Sequence, residues 1–312
     1  MLKYFTLLLL LFTLNGYSQK PYFQQEVEYT IDVRLNDQSH ILYGFEKINY
    51  HNNSNDTLHF LYFHLWPNAY RNDKSAFCEQ TVENNQTSFY FSKPEQRGFI
   101  DSLNFKVNGE SVNKSDFNNN PDIVVLELLN PIPPHAAVEI TTPFRVVLPN
   151  VFSRLGYQNQ TYQISQWYPK PAVYDRLGWH PMPYLDQGEF YSEYGSFTVN
   201  ITLPENYVVA ATGDLQNEKE LAFLKTRMLK NDSTIADKLM IKPESSQMMK
   251  TITFKQKNVH DFAWFADKQF LVEQSDDTLP NQQLVHCFSY FPPSVKNQYK
   301  GSSKVISKTI QY

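Results

Sequence analysis

Two histidines, His59 and His64 in "HFLYFHLW", lie close enough in the chain to raise the question of a shared metal ion. Residues five apart on a strand point to opposite faces, and on a helix they stand about 140 degrees apart. Neither geometry lets one ion take both, so one imidazole is expected outside and the other in a core or interface. No H-E-x-x-H motif occurs in the 312 residues, nor any dense His, Asp and Glu cluster at ligand spacing. Nucleophilic chemistry has as little support: there is no G-x-S-x-G elbow and no glycine-rich phosphate loop, and neither Cys78 nor Cys287 has the neighbours of an activated thiolate. Four acids, Asp175, Asp186, Glu189 and Glu193, are near one another in sequence. A retaining glycosidase needs two carboxyls about 5 Å apart, whereas acids in a polar loop are ordinarily solvated.

The densest chemical feature is "SQWYPKPAVYDRLGWHPMPY", residues 165–184, with four prolines, two tryptophans, three tyrosines and a histidine. Three readings fit it. It is a proline-stiffened loop whose aromatics cover a sheet edge, with each Trp N–H and Tyr O–H needing a polar partner; an aromatic platform that stacks on sugar rings; or a wall of a peptide cleft, where a nearby Gln or acid bonds a substrate's free amine.

The elements that must hold this stretch read mainly as β. "YTIDVRLND", "HILYGFEKINYHN" and "DTLHFLYFHLW" alternate with period two and are bounded by Asn, Asp and Ser, which predicts successive antiparallel strands. A polar interval at 71–93 follows, then "VNGES", whose Asn108-Gly109 pair favours a tight hairpin. "DIVVLELLNPIPPHAAVEITTPFRVVLP" supplies strands broken by prolines, and "GSFTVNITLPENYVVAATGDL" resumes the alternation. Residues 22 to about 214 therefore read as one all-β unit. "NEKELAFLKTRMLKNDSTIADKLM" reads as a helical insertion near 216–240, with Leu221, Leu224 and Met228 at helical spacing. The chain ends in a predicted amphipathic helix whose face includes Val305, Ile306, Ile310 and Tyr312; without a closing cap, it reads as a fragment.

With 15% aromatic residues and 18 Pro against 10 Gly, the composition suits strands and rigid turns. A net charge of -4 without clustered Lys and Arg argues against a nucleic-acid partner. Residues 1–19, "MLKYFTLLLLLFTLNGYSQ", have the early Lys3, short apolar run and small-residue pair of a secretory signal peptide. The mature chain is expected to be exported (periplasmic, cell-surface or extracellular) without a transmembrane span. Export permits a bridge between Cys78 and Cys287, and buried free thiols fit equally well. Several N-x-[ST] triplets occur, among them those starting at Asn52, Asn85, Asn159 and Asn200.

Four blocks together, "LYFHLWPNAYRND" from Leu61, "SQWYPKPAVYDRLGWHPMPY", "GEFYSEYGSFTVNITLPENYVVAATGDL" from Gly188 and "NVHDFAWFAD" from Asn258, resemble in order and spacing the amino-terminal half of exported gluzincin metallopeptidases, the aminopeptidase N-like family. The resemblance implies a saddle-like, mostly antiparallel β-sandwich domain over 20–271 and the truncated beginning of an α/β thermolysin-like catalytic domain over 272–312. It implies a peptide substrate and a zinc ion in the parent protein, held by an H-E-x-x-H motif and a later Glu that this sequence lacks; the fragment alone is expected to be inactive. It also makes Gln166 the nearest match to the residue that binds a substrate's free amine, with Gln160 and Gln163 behind it, and Trp167, Tyr168, Asp175 and Glu189 further substrate-binding candidates. A secreted non-catalytic β-sandwich with an aromatic surface for glycan or peptide is the alternative.

Overall fold

The computed structural model describes residues 22–231 and 234–310. The signal-peptide assignment and Tyr312 lie outside the described residues.

Strict alternation makes the strand Glu26–Asn36 bury every second side chain, from Val27 to Leu35, and it centres a nine-stranded sheet. It pairs antiparallel with Ile41–His51, which pairs antiparallel with Ala137–Val147. On its other side it runs parallel to Gly195–Pro204, from Val27 opposite Gly195 to Arg34 opposite Thr202, so the first and fifteenth strands in chain order close the centre of the sheet. Gly195 is required there, because a Cβ would lie 2.1 Å from the Val27 carbonyl oxygen.

The third predicted strand does not continue this sheet. Leu58–His64 belongs to a second, four-stranded sheet between Lys170–Pro171 and Asn120–Ile132. The chain turns the corner at Asn52, which is fully buried and whose Nδ2 donates to the carbonyls of Asp56 at 2.8 Å and Pro133 at 3.0 Å. An Asn that supplies the backbone of a corner in this way is closed to glycosylation, whatever its triplet. His59 is exposed and His64 buried, as opposite faces require.

A third sheet joins Gly156–Gln158, Thr161–Ile164, Trp264–Asp267 and Val208–Ala211. One apolar core runs through all three sheets, gathering Val27, Ile48, Phe63, Ile140, Trp167 and Trp264 among others. The Asn108-Gly109 turn forms as expected, with φ of 49° and 84° between paired Val107 and Glu110.

Helices depart more from expectation. The polar interval at 71–93 contains the helix Ala76–Glu83, capped by Ser75, whose side chain accepts from the Cys78 amide at 3.2 Å. The insertion splits into Glu218–Thr226 and Ile235–Lys238; Leu224 and Met228 are buried, the latter beyond the helix end, but Leu221 is exposed. Together with Leu239 and Ala236 they pack on Leu271 and Val272, at the start of the hairpin Leu271–Thr278 and Leu284–Phe291. The last helix, Ser302–Thr309, lies on that hairpin through Ser303 and Ser307. Glu273 caps it by accepting from the Gly301 amide at 2.9 Å, and Ser307 bonds Asp277. Its predicted apolar face is turned outward: Val305, Ile306 and Ile310 are exposed. Cys78 and Cys287 are both free and buried.

Candidate functional site

The stretch 165–184 is folded inward. Trp167 is 0% exposed and Tyr168 1% exposed. Trp167 donates its Nε1–H to the Phe262 carbonyl at 3.0 Å, and the Tyr168 hydroxyl donates to Asp261 Oδ1 at 2.8 Å. Each ring thus finds the polar partner that burial demands, 93 to 95 residues away in "NVHDFAWFAD". Lys170 follows, 2% exposed, with Nζ bonded to the His260 carbonyl and 3.5 Å from Asp261 Oδ1. Burial pulls its pKa down and Asp261 works against that shift. Pro171 can sit opposite Phe63 because its strand is an edge. With both rings buried, neither Trp167 nor Tyr168 presents a face to solvent on which a sugar could stack.

Gln166 opens this run in a left-handed conformation, φ 50°, that side-chain-bearing residues seldom adopt. Its Nε2 donates to Asp261 Oδ2 at 3.2 Å. Its Oε1 is buried and has no hydrogen-bond partner among the described residues. Asp261 therefore binds Gln166, Tyr168 and Lys170 at once. The two glutamines behind are occupied: Gln160 Nε2 donates to the Asp37 carbonyl at 3.0 Å, and Gln163 Nε2 donates to the Ser153 carbonyl at 2.5 Å.

Beyond the edge strand, Val173–Asp175 and Gly178–His180 form a small hairpin. Asp175 Oδ1 accepts from His180 Nε2 at 2.7 Å and from the Leu177 amide at 2.8 Å, and Oδ2 accepts from the Tyr191 hydroxyl at 3.2 Å. Partial burial would raise the Asp175 pKa, but these hydrogen bonds outweigh it and hold the carboxyl below its usual value. The remaining acids separate. Asp186 accepts from Ser153 at 2.6 Å and Glu189 is exposed, whereas Glu193 is 5% exposed. Asp175 and Glu193 line one cavity of about 600 Å³; Asp186 and Glu189 do not.

Glu193 is the group that sequence patterning undervalued, since in an aromatic, polar run it looked like any solvated acid. Burial pushes its carboxyl up to about 8, against the backbone amides of Tyr174 and Gln25 that favour its charged form. Glu46 is missed as well: it sits in a regular strand, fully buried, and neither of its oxygens has a partner among the described residues, so burial holds it well above the usual carboxylate range. His64 is likewise kept neutral, its pKa lowered by burial and then by Lys170 to about 3, and it accepts from the Met182 amide at 3.0 Å.

No protein-family model matches the chain, and no curated protein does. Solved structures do. Aminopeptidase A of Legionella pneumophila, solved in complex with aspartic acid, superposes with a TM-score of 0.51 at 11% identity, over 94% of this chain and 27% of that one. The chain shares its fold with an aminopeptidase. A mutant M1 zinc metallopeptidase of Deinococcus radiodurans gives a TM-score of 0.49 at 14% identity, over 87% of this chain and 48% of that one. The same enzyme bound to a Tyr-Ser-Ala substrate gives 0.47 at 16% identity, over 86% and 48%. This chain thus spans about half the length of the Deinococcus enzyme and about a quarter of the Legionella aminopeptidase. At such identities the likeness is one of fold, and it agrees with the mainly antiparallel β architecture expected from sequence.

Proposed function

We propose that the chain is the amino-terminal, cleft-forming portion of an exported zinc-dependent metallopeptidase of aminopeptidase type, with Gln166 as the acceptor for a peptide's free amine. In this reading 20–271 form the β domain, 272–312 begin the catalytic domain, and 1–19 direct export. Among the described residues no helix is long and apolar enough to cross a membrane. The fold shared with the Legionella aminopeptidase supports the reading at the level of architecture.

The observation that carries the assignment of Gln166 is its Oε1, a buried acceptor without a donor on a residue held at φ 50°. Leaving such an acceptor unpaired costs about 1–3 kcal/mol, and backbone strain concentrates at ligand-binding positions. An ammonium group placed there would satisfy it, while Asp261, fixed by Tyr168 and Lys170, holds the amide in one orientation.

Zinc does not fit the residues in hand: among the described residues no group of three or more His, Cys, Asp or Glu side chains is arranged to hold a metal ion. In this reading the zinc ligands belong to the rest of the parent protein.

The test uses the complete parent protein with an aminoacyl-nitroanilide and its N-acetylated counterpart. The parent should bind zinc and prefer the free amine, and Gln166→Ala should reduce that preference on the order of tenfold or more. A parent without zinc-dependent cleavage removes the peptidase reading. An unchanged preference in Gln166→Ala moves the anchor elsewhere.

A further inference from the structure

The cavity lined by Asp175 and Glu193 is separate in its chemistry from Gln166. Its buried polar floor is Glu193, whose Oε1 has no hydrogen-bond partner among the described residues, and the adjacent Ser192 Oγ has none either. Its walls are aromatic: Phe23, Tyr191 and Tyr194, with the Tyr194 ring edge-on to His260 at 5.9 Å. We propose that this cavity binds an organic cation, an alkylammonium or guanidinium group such as the end of a lysine or arginine side chain, held by Glu193 Oε1 between these rings.

Three physical arguments select that ligand class. First, an unpaired carboxyl oxygen in a buried position is stabilised most by a charged donor, whose hydrogen bond is about twice as strong as a neutral one. Second, faces of Tyr and Phe attract cations, and more strongly when water is excluded. Third, a metal ion would need further carboxylate or imidazole ligands, and among the described residues no such group of three exists. The buried Lys170 is no substitute, because it is taken by Asp261 and the His260 carbonyl. Arg176, the lining residue that would oppose a cation, is exposed.

Binding should displace a proton. Burial keeps Glu193 protonated up to about pH 8, and a bound cation would ionise it. The groups that face it behave differently: Asp175 is held low and stays charged, whereas the phenols of Tyr29, Tyr50 and Tyr191 are raised by burial and stay neutral. His260 also lines the cavity and needs its own control. The inference goes beyond the peptidase reading and does not rest on hydrolysis.

The experiment is isothermal titration of the chain at pH 7 with Nα-acetyl-arginine amide and with the isosteric, uncharged Nα-acetyl-citrulline amide, in two buffers of different ionisation heat. Saturable binding of the arginine probe is expected, with citrulline weaker on the order of ten- to a hundredfold and about one proton released. Glu193→Gln should abolish the preference and the release, and His260→Gln should preserve both. Equal affinities, no saturable binding, arginine preference without proton release, or a folded Glu193→Gln protein that still discriminates would each overturn the proposal. If Glu193→Gln does not fold, the two probes and the proton count on the unmodified chain decide.

Discussion

Asp261→Ala is the substitution that most directly probes how the 165–170 run is held. Its two oxygens accept from the Tyr168 hydroxyl and the Phe262 amide at 2.8 Å and from Gln166 at 3.2 Å, and Oδ1 lies 3.5 Å from Lys170 Nζ. Asp261 is 18% exposed and Lys170 only 2%, so removing the carboxylate leaves a buried ammonium without a counter-charge. Breaking one side of a buried pair costs about 3–5 kcal/mol, which lowers the melting midpoint by roughly 5–15 °C in a chain of this size. The sign of the pH dependence is fixed. Burial already lowers the Lys170 pKa from 10.5, and losing Asp261 lowers it further in the folded state alone. The unfolded state then binds more protons between the lowered value and 10.5, so stability of the variant rises with pH and the penalty shrinks from pH 7 towards pH 9.5. Calorimetry at both pH values measures this, with Lys170→Met and the double variant completing a cycle. A penalty below about 1 kcal/mol, one that does not shrink with pH, or a double variant no more stable than Asp261→Ala would refute the reasoning.

Other expected outcomes follow from the same structure. His64, with its folded pKa near 3 against 6.5 unfolded, should stay neutral from pH 5 to 8 in imidazole NMR. It contributes stability that is fully present above 6.5 and is lost as pH falls, at about 1.4 kcal/mol per pH unit, until about pH 3. Gly195→Ala drives a methyl into the Val27 carbonyl oxygen and should lower stability by about 1–3 kcal/mol in thermal melts; an unchanged midpoint would mean that the parallel pair is not formed there. Ellman's reagent should count the free Cys78 and Cys287 thiols only after denaturation, because both are buried and burial raises the pKa of each; a disulfide would give no thiol in either state.

What the sequence made legible was periodicity. Alternation in 26–36 and 41–51 located two long strands and their inward faces, and Asn108-Gly109 located a turn, because both signals are local. Partner choice was not legible. That Leu58–His64 leaves the first sheet depends on Asn52 bonding backbone near Pro133, and that Gly195–Pro204 joins Glu26–Asn36 in parallel depends on a missing Cβ 168 positions away from Val27. The terminal helix showed its period correctly, yet its apolar side is exposed while Ser303 and Ser307 are buried against the hairpin, where the Ser302 hydroxyl finds Ser289, the Ser303 amide Glu273 and the Ser307 hydroxyl Asp277.

Aromatic density is a poor guide to where a ligand sits, for a physical reason. Trp and Tyr suit a surface platform and an interior equally well; the choice falls on whichever supplies a partner for the N–H or O–H. Here Phe262 and Asp261 supply it from within the fold, so Trp167 and Tyr168 turn inward and act as fixed supports. Among the polar atoms that the fold buries without a partner, two lie where the proposals place a ligand, Gln166 Oε1 beside the rings and Glu193 Oε1 beyond the hairpin. Both are acceptors, and Asp175 adds a carboxylate beside the second. A ligand that offers donors and positive charge gains at each position, whereas an anion would meet unpaired amide and carboxyl oxygens there. Both proposals rest on these unsatisfied acceptors rather than on the count of aromatic rings.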